Sequence, residues 1–261
     1  MSSTVAGAVT LQGRVLWALC LREMIGKKGK SRLGYFWQVV KVGFSVGVFW
    51  WIRAVMEVPT PRVLPLPLFL LMGFFVWFLF SETVAMVMQA VQTNQALLTF
   101  PQITMLDLHA SSALVVWFTE ILVLLLYLGL VDVLGYTFHL FAPIRMFLCV
   151  IGLCSFSFGV GLVLYVLALY FPVVEKLTPM VLRVMFFVSG VFFSPSQLGL
   201  RYNSYLFYNP VTNFIELMRG VFIQPQVSHL IREDVVIVSS VLFLVLGLLL
   251  ERYVRNRPIE L

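Results

Sequence analysis

The chain has 261 residues, of which 61% are hydrophobic and 11% are charged, and its formal net charge is +6. A soluble domain of this length cannot hide so much apolar surface from water, so the composition excludes the soluble globular classes and indicates a protein solvated by lipid. In hydrocarbon every backbone polar group must be paired internally, and the apolar runs lack the alternation of barrel strands. The sequence therefore predicts an all-α integral membrane protein.

The predicted cytoplasmic N-terminus, residues 1–35, contains one short apolar stretch. We expect a helix over Arg14 to Ile25 that ends at Gly26 and lies along the lipid headgroups, because Trp17 and Arg22 suit that layer. The main basic cluster follows the apolar residues instead of preceding them, and no small-residue cleavage site leads into a soluble domain, so an export signal is not indicated. This amphipathic interface helix is expected to brace the first span.

Six apolar segments within residues 36–250 are predicted to cross the membrane, since a hydrocarbon core of about 30 Å needs about 20 helical residues. Lys and Arg collect in the N-terminal region and in the tail, residues 251–261, so both ends are expected in the cytoplasm. The positive charge is then a topology and headgroup signal and does not indicate nucleic-acid binding. The predicted spans lie near Phe36–Met56, Leu66–Met88, Ser111–Leu134, Ile144–Phe171, Thr178–Phe193 and Val235–Leu250.

Two loops are predicted on the cytoplasmic side. The loop of residues 89–109 contains a short helix that is stopped by Pro101 and tipped with leucines, which is typical of a docking segment, whereas a simple connector would not need exposed leucines. The second loop, from Phe171 to Pro179, is tight, and Pro179 suits the first turn of the fifth span. The first loop is therefore the predicted docking site for a partner.

A hairpin is predicted on the opposite side, over residues 194–233. Asn209 and Pro210 form an N-cap and first-turn pair, and an amphipathic helix is expected from Pro210 to Ile223. Glu216 and Arg219, three residues apart, are placed to pair on one face of it. This helix is too short to span, so we expect a re-entrant or surface-lying hairpin that shapes an external gate.

Two acidic residues, Glu82 and Glu120, fall within predicted spans, where a charged side chain costs about 2.5–3.5 kcal/mol at a helix centre. Each is expected to face the bundle interior, either as a polar point in a pathway or as a lock between helices. The alternative is a residue that reaches a headgroup or bonds to a neighbouring helix. For Glu120 the structural lock is favoured.

Small and aromatic residues within the spans have two interpretations. Gly43 with Gly47, and Ser155 with Gly159, put small residues one turn apart and predict close helix packing. Most aromatic residues are expected to be core or lipid-facing. The less favoured alternative is a conduit for sugar rings, lined by Trp50, Trp51, Phe186, Phe187, Phe192 and Phe193 and with Arg53 near its outer mouth.

No catalytic or metal-binding motif is present in the sequence. Cys20, Cys149 and Cys154 lack metal-ligand spacing, the three histidines form no pair, and no P-loop, nucleophile elbow or zinc-protease motif occurs. A pathway driven by a partner is therefore favoured over a membrane enzyme, although a transferase that uses dispersed residues stays open.

An ordered set of residues resembles the ABC-2 type permeases, and most closely the permease subunits of capsular polysaccharide exporters. The set is residues 29–37 (GKSRLGYFW), Asn94 through Leu98, Asp107, Glu120, Phe171-Pro172 with Lys176 and Pro179, and Asn209-Pro210 with Glu216 and Arg219. The resemblance implies a homodimer of six-span subunits in the bacterial inner membrane, bound to a separate nucleotide-binding ATPase that holds ATP and Mg²⁺. It also implies export of a lipid-linked polysaccharide to a periplasmic co-polymerase-like partner. An alternative cargo is another bulky amphiphile such as an O-antigen, a teichoic acid or a drug.

The same resemblance assigns roles to residues. It implies interface-helix roles for Arg14, Trp17, Arg22 and Arg32, ATPase coupling for Asn94, Gln95, Leu97, Leu98, Phe100, Asp107, Glu175 and Lys176, and gate or pathway roles for Asn209, Glu216, Arg219 and the aromatic residues above. No cofactor is expected in this chain. Two departures from the family pattern are Val40-Lys41-Val42, where an acid-proline pair is expected, and the single Pro101 in a loop that is richer in proline in relatives.

Overall fold

The structure, a computed structural model, describes residues 2–30, 34–55, 64–136, 138–195, 208–223 and 232–256. These residues contain helices and no strand, which confirms the predicted all-α class. In chain order the helices are α1 (Ser2–Lys30), α2 (Gly34–Val55), α3 (Leu66–Thr93), a 3-10 helix (Gln95–Thr99), α4 (Met105–Val133), α5 (Pro143–Tyr170), α6 (Val173–Val188), α7 (Pro210–Gly220) and α8 (Glu233–Arg255).

Four helices, α3, α4, α5 and α8, are long and apolar enough to cross a membrane. They correspond to the second, third, fourth and sixth predicted spans. The helices at the places of the first and fifth predicted spans are α2, with 22 residues, and α6, with 16 residues. Helices α2 and α6 are not among these four, so within the described residues four helices fit a membrane crossing by length and composition.

The starts of several helices follow from capping chemistry. Helices α3, α5 and α7 each carry a proline in the first turn, where the missing N–H has no intrahelical partner to lose. Helix α4 begins with a capping box, in which the Thr104 hydroxyl accepts from the Asp107 amide and the Asp107 carboxylate accepts from the Thr104 amide at 2.9 Å. This box starts α4 at Met105, before the predicted Ser111.

Two helices extend beyond their predicted ends. Helix α1 continues through Gly26 to Lys30, so the predicted stop at Gly26 is wrong. A single glycine costs only about 1 kcal/mol in a helix interior, which does not break a helix among good helix formers. Helix α8 continues to Arg255, beyond the predicted Leu250, so the first residues of the predicted tail are helical.

Helix α6 differs from the predicted fifth span at both ends. It begins at Val173, which places Pro179 inside the helix instead of in its first turn. The hydroxyl of Thr178 donates to the Val174 carbonyl at 2.8 Å, in the turn before the proline. The helix ends at Val188, and Gly190, with φ of 76°, turns the chain away before Phe193.

Helix α3 lies at the centre of the bundle, with 78% of its most apolar window buried against α4, α5, α2, α7 and α6. The closest helix pair is α5 with α8, where two glycines let the backbones touch. A Cβ atom on Gly247 would lie 2.7 Å from the Gly159 carbonyl oxygen, and one on Gly159 would overlap the Phe243 backbone. Gly159 therefore packs closely as predicted, and the small residue that faces it from α8 is Gly247.

Candidate functional site

Several residues predicted for ATPase coupling meet at one end of the bundle, which we call the 3-10 end: the C-terminus of α3, the 3-10 helix, and the N-termini of α4 and α6. Arg22 of α1 donates to the Asn94 side-chain oxygen at 2.9 Å. Gln92 donates to the Glu175 carboxylate, which joins the end of α3 to the start of α6. The structure therefore brings together side chains that are far apart in the sequence.

The 3-10 helix presents a mixed surface at this end. Phe100 is 57% exposed, and Gln95 is exposed as well. Leu97 and Leu98 are half-buried, and Leu98 packs against a cluster that contains Val91 of α3, Tyr165 of α5 and Val254 of α8. The apolar tip is thus the Phe100 ring, while Leu98, one of the leucines that the sequence predicts as exposed, anchors the segment to three helices.

The remaining coupling candidates lie on either side of the 3-10 helix. Asp107 is 5% exposed, because its carboxylate caps α4 and accepts from Gln12 of α1. Lys176 is exposed beside the half-buried Glu175. The predicted loop of residues 89–109 is shorter than expected, since α3 ends at Thr93 and α4 begins at Met105.

Helix α1 lies against α4 at the same end. The Ser112 hydroxyl of α4 donates to the Glu23 carboxylate at 2.8 Å, and Leu19 is buried between the helices. Burial and the nearby Glu23 carboxylate raise the pKa of the Cys20 thiol, so this cysteine stays a neutral thiol.

The opposite face of α1 is an apolar stripe, with Trp17 67% exposed. Leu21 and Ile25 follow it at four-residue intervals and are also exposed, so the stripe lies on one side of the helix. Arg14 is exposed on the same helix, and Arg32 lies outside the described residues. An exposed tryptophan and leucine next to basic residues fit the predicted contact with lipid headgroups.

A polar cluster, Gln38 and Lys41 of α2 with Glu82 of α3 and Glu120 of α4, lies inside the bundle. The Gln38 amide donates to both oxygens of Glu82, at 3.0 and 2.9 Å, and to Glu120. Lys41 forms an ion pair with Glu82. Glu120 is 1% exposed and faces the bundle interior as predicted, while the Glu82 side chain is 33% exposed; together the two acids join three helices. The sequence alone did not indicate a role for Gln38 or the partner of Lys41. Gln38 and Lys41 are three residues apart, which places them on one face of α2.

A cavity of about 720 Å³ separates α1 from α2, α3 and α4 next to this cluster. Its walls are amphipathic, with leucine, methionine and valine between the polar groups. The polar lining side chains already bond to one another, for example Arg22 to Asn94, and Gln38 to Glu82. The lining includes Leu19, Arg22, Glu23, Gln38, Glu82, Met86, Asn94, Leu97, Leu108, Ser111, Val116 and Thr119.

The opposite end of the bundle, the α7 end, contains α7 and the segment that follows α6. Asn209 caps α7, since its side-chain oxygen accepts from the Val211 amide at 3.1 Å, and Pro210 follows in the first turn as predicted. Of the two predicted alternatives, re-entrant or surface-lying, the surface-lying one is wrong, because almost every residue of α7 is buried against α3, α5 and α8. The helix ends at Gly220, and Gln224 and Pro225 lie outside the described residues.

Arg219 is the centre of the α7 end and is 2% exposed. Its guanidinium donates to Glu216 at 2.8 Å, which confirms the predicted pair. It also lies over the Phe69 ring, 3.5 Å from the centroid. The backbone carbonyls that accept from it belong to Phe69 (3.2 Å), Gly190 (3.0 Å), Val191 (2.7 Å) and Phe193 (3.2 Å).

One side chain thus ties α7 to α3 and to the chain leaving α6. Gly73 of α3 leaves room for it, because a Cβ atom there would lie 2.8 Å from both the guanidinium and the Val191 oxygen. The Ser194 hydroxyl donates to the second oxygen of Glu216 at 2.9 Å. Of these partners the sequence indicates only Glu216, since the others are backbone atoms or a glycine distant in the chain.

The predicted aromatic residues separate into two groups. Phe186 and Phe192 pack in a cluster with Phe49, Phe74 and Trp77, in which Phe49 and Phe192 stack with centroids 4.1 Å apart. The exposed group is Trp50 at 45%, Trp51 at 64% and Phe187 at 62%. Phe193 is half-buried, and the Arg53 guanidinium lies 5.8 Å from the Phe69 centroid.

Within the described residues, no group of three or more His, Cys, Asp or Glu side chains is arranged to hold a metal ion. His109, expected in a loop, is fully buried inside α4, where Nδ1 lies 2.8 Å from the Val87 carbonyl oxygen and the ring packs edge-on to Tyr165. Cys149 and Cys154 are buried free thiols within α5. These side chains therefore have packing roles in the part of the chain that the structure describes.

Comparison with known proteins agrees with the resemblance found in the sequence. Residues 14–223 match the sequence model of the ABC-2 type transporter family. The chain is 28% identical over 235 residues to the polysialic acid transport protein KpsM of Escherichia coli, covering 90% of this chain and 91% of that protein. It is 24% identical over 255 residues to the capsule polysaccharide export inner-membrane protein BexB of Haemophilus influenzae, covering 95% and 94%. The O-antigen export system permease protein RfbA of Klebsiella pneumoniae is 22% identical over 210 residues, 76% of each chain.

Proposed function

The chain belongs to the ABC-2 type transporter family, and we propose that it is the transmembrane permease subunit of an ATP-driven exporter, carrying a lipid-linked capsular polysaccharide across the bacterial inner membrane. The observation that carries this proposal is similarity along nearly the whole chain to a protein named for polysialic acid transport and to an inner-membrane protein named for capsule polysaccharide export. The protein is a multi-pass membrane protein and not an enzyme, because its relatives are permease subunits.

In this proposal α2 and α6 complete a set of six spans. At 1.5 Å per residue, the 22 residues of α2 reach about 33 Å, enough to cross the hydrocarbon core. Helix α6, with 16 residues, reaches about 24 Å, and the chain after it continues toward α7. Helix α7, with 11 residues, reaches about 16 Å and would enter the outer half of the membrane as a re-entrant hairpin.

Both termini and the 3-10 end lie in the cytoplasm in this arrangement. The basic N-terminal region and the last turn of α8 then satisfy the positive-inside rule. The 3-10 helix with the exposed Phe100 is the coupling helix that a nucleotide-binding ATPase contacts. ATP and Mg²⁺ are held by that partner, and this chain needs no cofactor of its own.

A homodimer supplies the pathway. Helices α2 and α6 expose apolar and aromatic side chains along one side, including Phe44 and Trp51 of α2 and Val184 and Phe187 of α6. Two copies that face each other through these helices enclose a conduit with aromatic walls, on which sugar rings can slide. The periplasmic end would deliver the polymer to a co-polymerase-like partner.

Transport in such a pathway requires movement and no bond chemistry. ATP binding closes the partner ATPases and displaces the coupling helices. Helix α3 runs unbroken from the 3-10 helix to the α7 end, where the Phe69 carbonyl accepts from Arg219. A displacement of the coupling helix therefore reaches the outer hairpin through one rigid element, and the ATP-bound state favours the open pathway.

A second candidate cargo is an O-antigen, because one relative is an O-antigen export permease. Both cargoes are lipid-linked glycans, so the family alone does not separate them. The matches to the polysialic acid transport protein and to the capsule polysaccharide export protein cover 90% and 95% of this chain, whereas the match to the O-antigen relative covers 76%. We therefore favour the capsular polysaccharide.

Co-purification tests the permease assignment directly. The tagged chain, extracted from its own membranes in mild detergent, is expected to bring down an ATPase with a Walker motif, and the ATPase activity of the complex is expected to depend on Mg²⁺. If the chain purifies alone and instead converts a glycolipid without any ATPase, the protein is a membrane enzyme and the proposal is wrong.

A further inference from the structure

We propose that Lys41 is a positioning residue for export: its ion pair with Glu82 fixes the placement of α2 against α3 during the transport cycle. This inference deepens the proposed function and rests on it where export is the measured quantity. The pair lies in the polar cluster of Gln38, Lys41, Glu82 and Glu120, which the export mechanism above does not use.

The contacts of Lys41 are specific in direction. Its ammonium reaches Glu82 and also lies 3.8 Å from the centroid of the Phe78 ring. Phe78 and Glu82 are four residues apart on α3, so both partners project from one face of the same helix. Gln38, one turn before Lys41, donates to the same carboxylate. Helix α2 is thereby fixed in both rotation and depth relative to α3.

Lys41 carries the positive charge of the cluster. Two carboxylates, Glu82 and Glu120, converge on the Gln38 amide, and the Lys41 ammonium pairs with Glu82. At roughly 16 Å from the C-terminal end of α3, the Glu82 carboxylate is within the length of the helix that spans the membrane. Removing the ammonium leaves the Glu82 carboxylate without its ion partner next to Glu120, which favours separation of α2 from α3 and α4.

Other contacts also hold α2 in place. Val42 is 2% exposed, and the Tyr127 hydroxyl of α4 donates to the Val39 carbonyl at 2.7 Å and lies so close to Gly43 that a Cβ atom there would overlap it. The Arg53 guanidinium lies 5.8 Å from the centroid of the Phe69 ring of α3. The other side of α2 carries exposed aromatic residues. Helix α2 therefore keeps its general location without Lys41, but loses the ionic contact that fixes its register.

A charge-swap experiment tests this role. Cells that lack the chain are complemented with Lys41→Met, Lys41→Arg, Lys41→Glu, Glu82→Lys, or the last two combined. Surface glycan per permease is measured together with the ATPase activity of the purified complex. We expect Lys41→Met and each single reversal to lower export about tenfold, within the range for coupled contacting residues, while ATP hydrolysis continues. Lys41→Arg and the double reversal are expected to restore export.

The matched control is Arg145→Met, which removes another ion pair between helices, with Glu233 at 3.0 Å, but at an exposed position. It is expected to export normally. The proposal is overturned if Lys41→Met exports like the original chain, or if the double reversal is no better than the single reversals. If Lys41→Met also lowers the permease level, the deciding quantity is the export of the double reversal divided by its own permease level.

The two proposals fail in different ways. If cells without the chain still display their glycan, the proposed function is wrong, and the charge swap is then measured as thermal stability of the purified chain. A double reversal that is as stable as the original chain, with both single reversals less stable, supports the ion pair even then. Equal stability of the original chain, the two single reversals and the double reversal overturns the proposed role of the ion pair.

Discussion

Replacement of Arg219 is the sharpest test of how the α7 end is held together. The guanidinium bonds four backbone carbonyls, from Phe69, Gly190, Val191 and Phe193, as well as the Glu216 carboxylate. In Arg219→Lys the charge stays, but an ammonium has only three donors, so at least two of the five acceptors lose their partner.

The expected loss follows from the number of bonds. A hydrogen bond to a charged group contributes about 1.5–3 kcal/mol, so two lost bonds reduce the free energy of unfolding by about 3–6 kcal/mol. For a chain of this size 1 kcal/mol corresponds to about 2–4 °C in Tm, so Arg219→Lys should lower the Tm by at least about 6 °C. Arg219→Met should lower it further, because Glu216 then keeps only the Ser194 hydroxyl.

The assay is the thermal unfolding of the purified chain in detergent, read by size-exclusion chromatography after heating. Arg232→Met serves as the control, since Arg232 pairs with Asp234 on the exposed surface and its loss should leave the Tm unchanged. A Tm of Arg219→Lys equal to that of the control would show that the buried guanidinium does not hold the α7 end.

Two further substitutions test the packing and the coupling surface. Gly159→Ala places a methyl group against the Phe243 backbone and should destabilise the chain by about 1–3 kcal/mol. The control is Gly129→Ala, which should be neutral or stabilising because Gly129 has open space around it. Equal Tm values for the two variants would contradict the close α5–α8 contact. Phe100→Asp should abolish co-purification of the ATPase while the permease level stays normal, because it puts a charge on the exposed apolar tip. The control Phe141→Ala, at an exposed position at the other end of the bundle, should leave the complex intact. An intact complex with Phe100→Asp would contradict the docking role.

Local chemistry made part of the fold predictable. The Asn209-Pro210 start of α7 and the Glu216–Arg219 pair follow from capping preference and helical spacing, and both are present. The inward direction of Glu82 and Glu120 follows from the cost of charge in hydrocarbon. These features depend on neighbours within one helix or on the solvent, which the sequence contains.

Features that depend on distant neighbours were missed or misjudged. From the sequence Arg219 is expected only to pair with Glu216. Its four further acceptors are backbone oxygens in other segments, one of them 150 residues away, and the sequence does not indicate them. In the sequence Lys41 is only a departure from the family pattern. Its partner Glu82 belongs to another helix, so local spacing does not indicate the ion pair. Gly247 was overlooked as the partner of Gly159 for the same reason.

Helix ends were misjudged where weak signals competed. Gly26 is a typical stop signal, yet α1 continues past it, and Pro179 lies inside α6 instead of at its start. Glycine costs about 1 kcal/mol and proline about 3 kcal/mol in a helix interior, and in both cases the rest of the helix forms in spite of that cost. The apolar face of a short helix is likewise ambiguous, so the sequence predicts α7 as either re-entrant or surface-lying, and the structure buries it.

The central claim is export of a lipid-linked capsular polysaccharide, and the most direct measurement is a chemical analysis of glycans in cells that lack this chain. Glycolipid is extracted from the cytoplasm and inner membrane, and the surface coat is assayed in the same cells. The account predicts that a lipid-linked polysaccharide accumulates inside while the surface coat disappears, and that the original chain restores the coat. An unchanged surface with no accumulated glycan would contradict it.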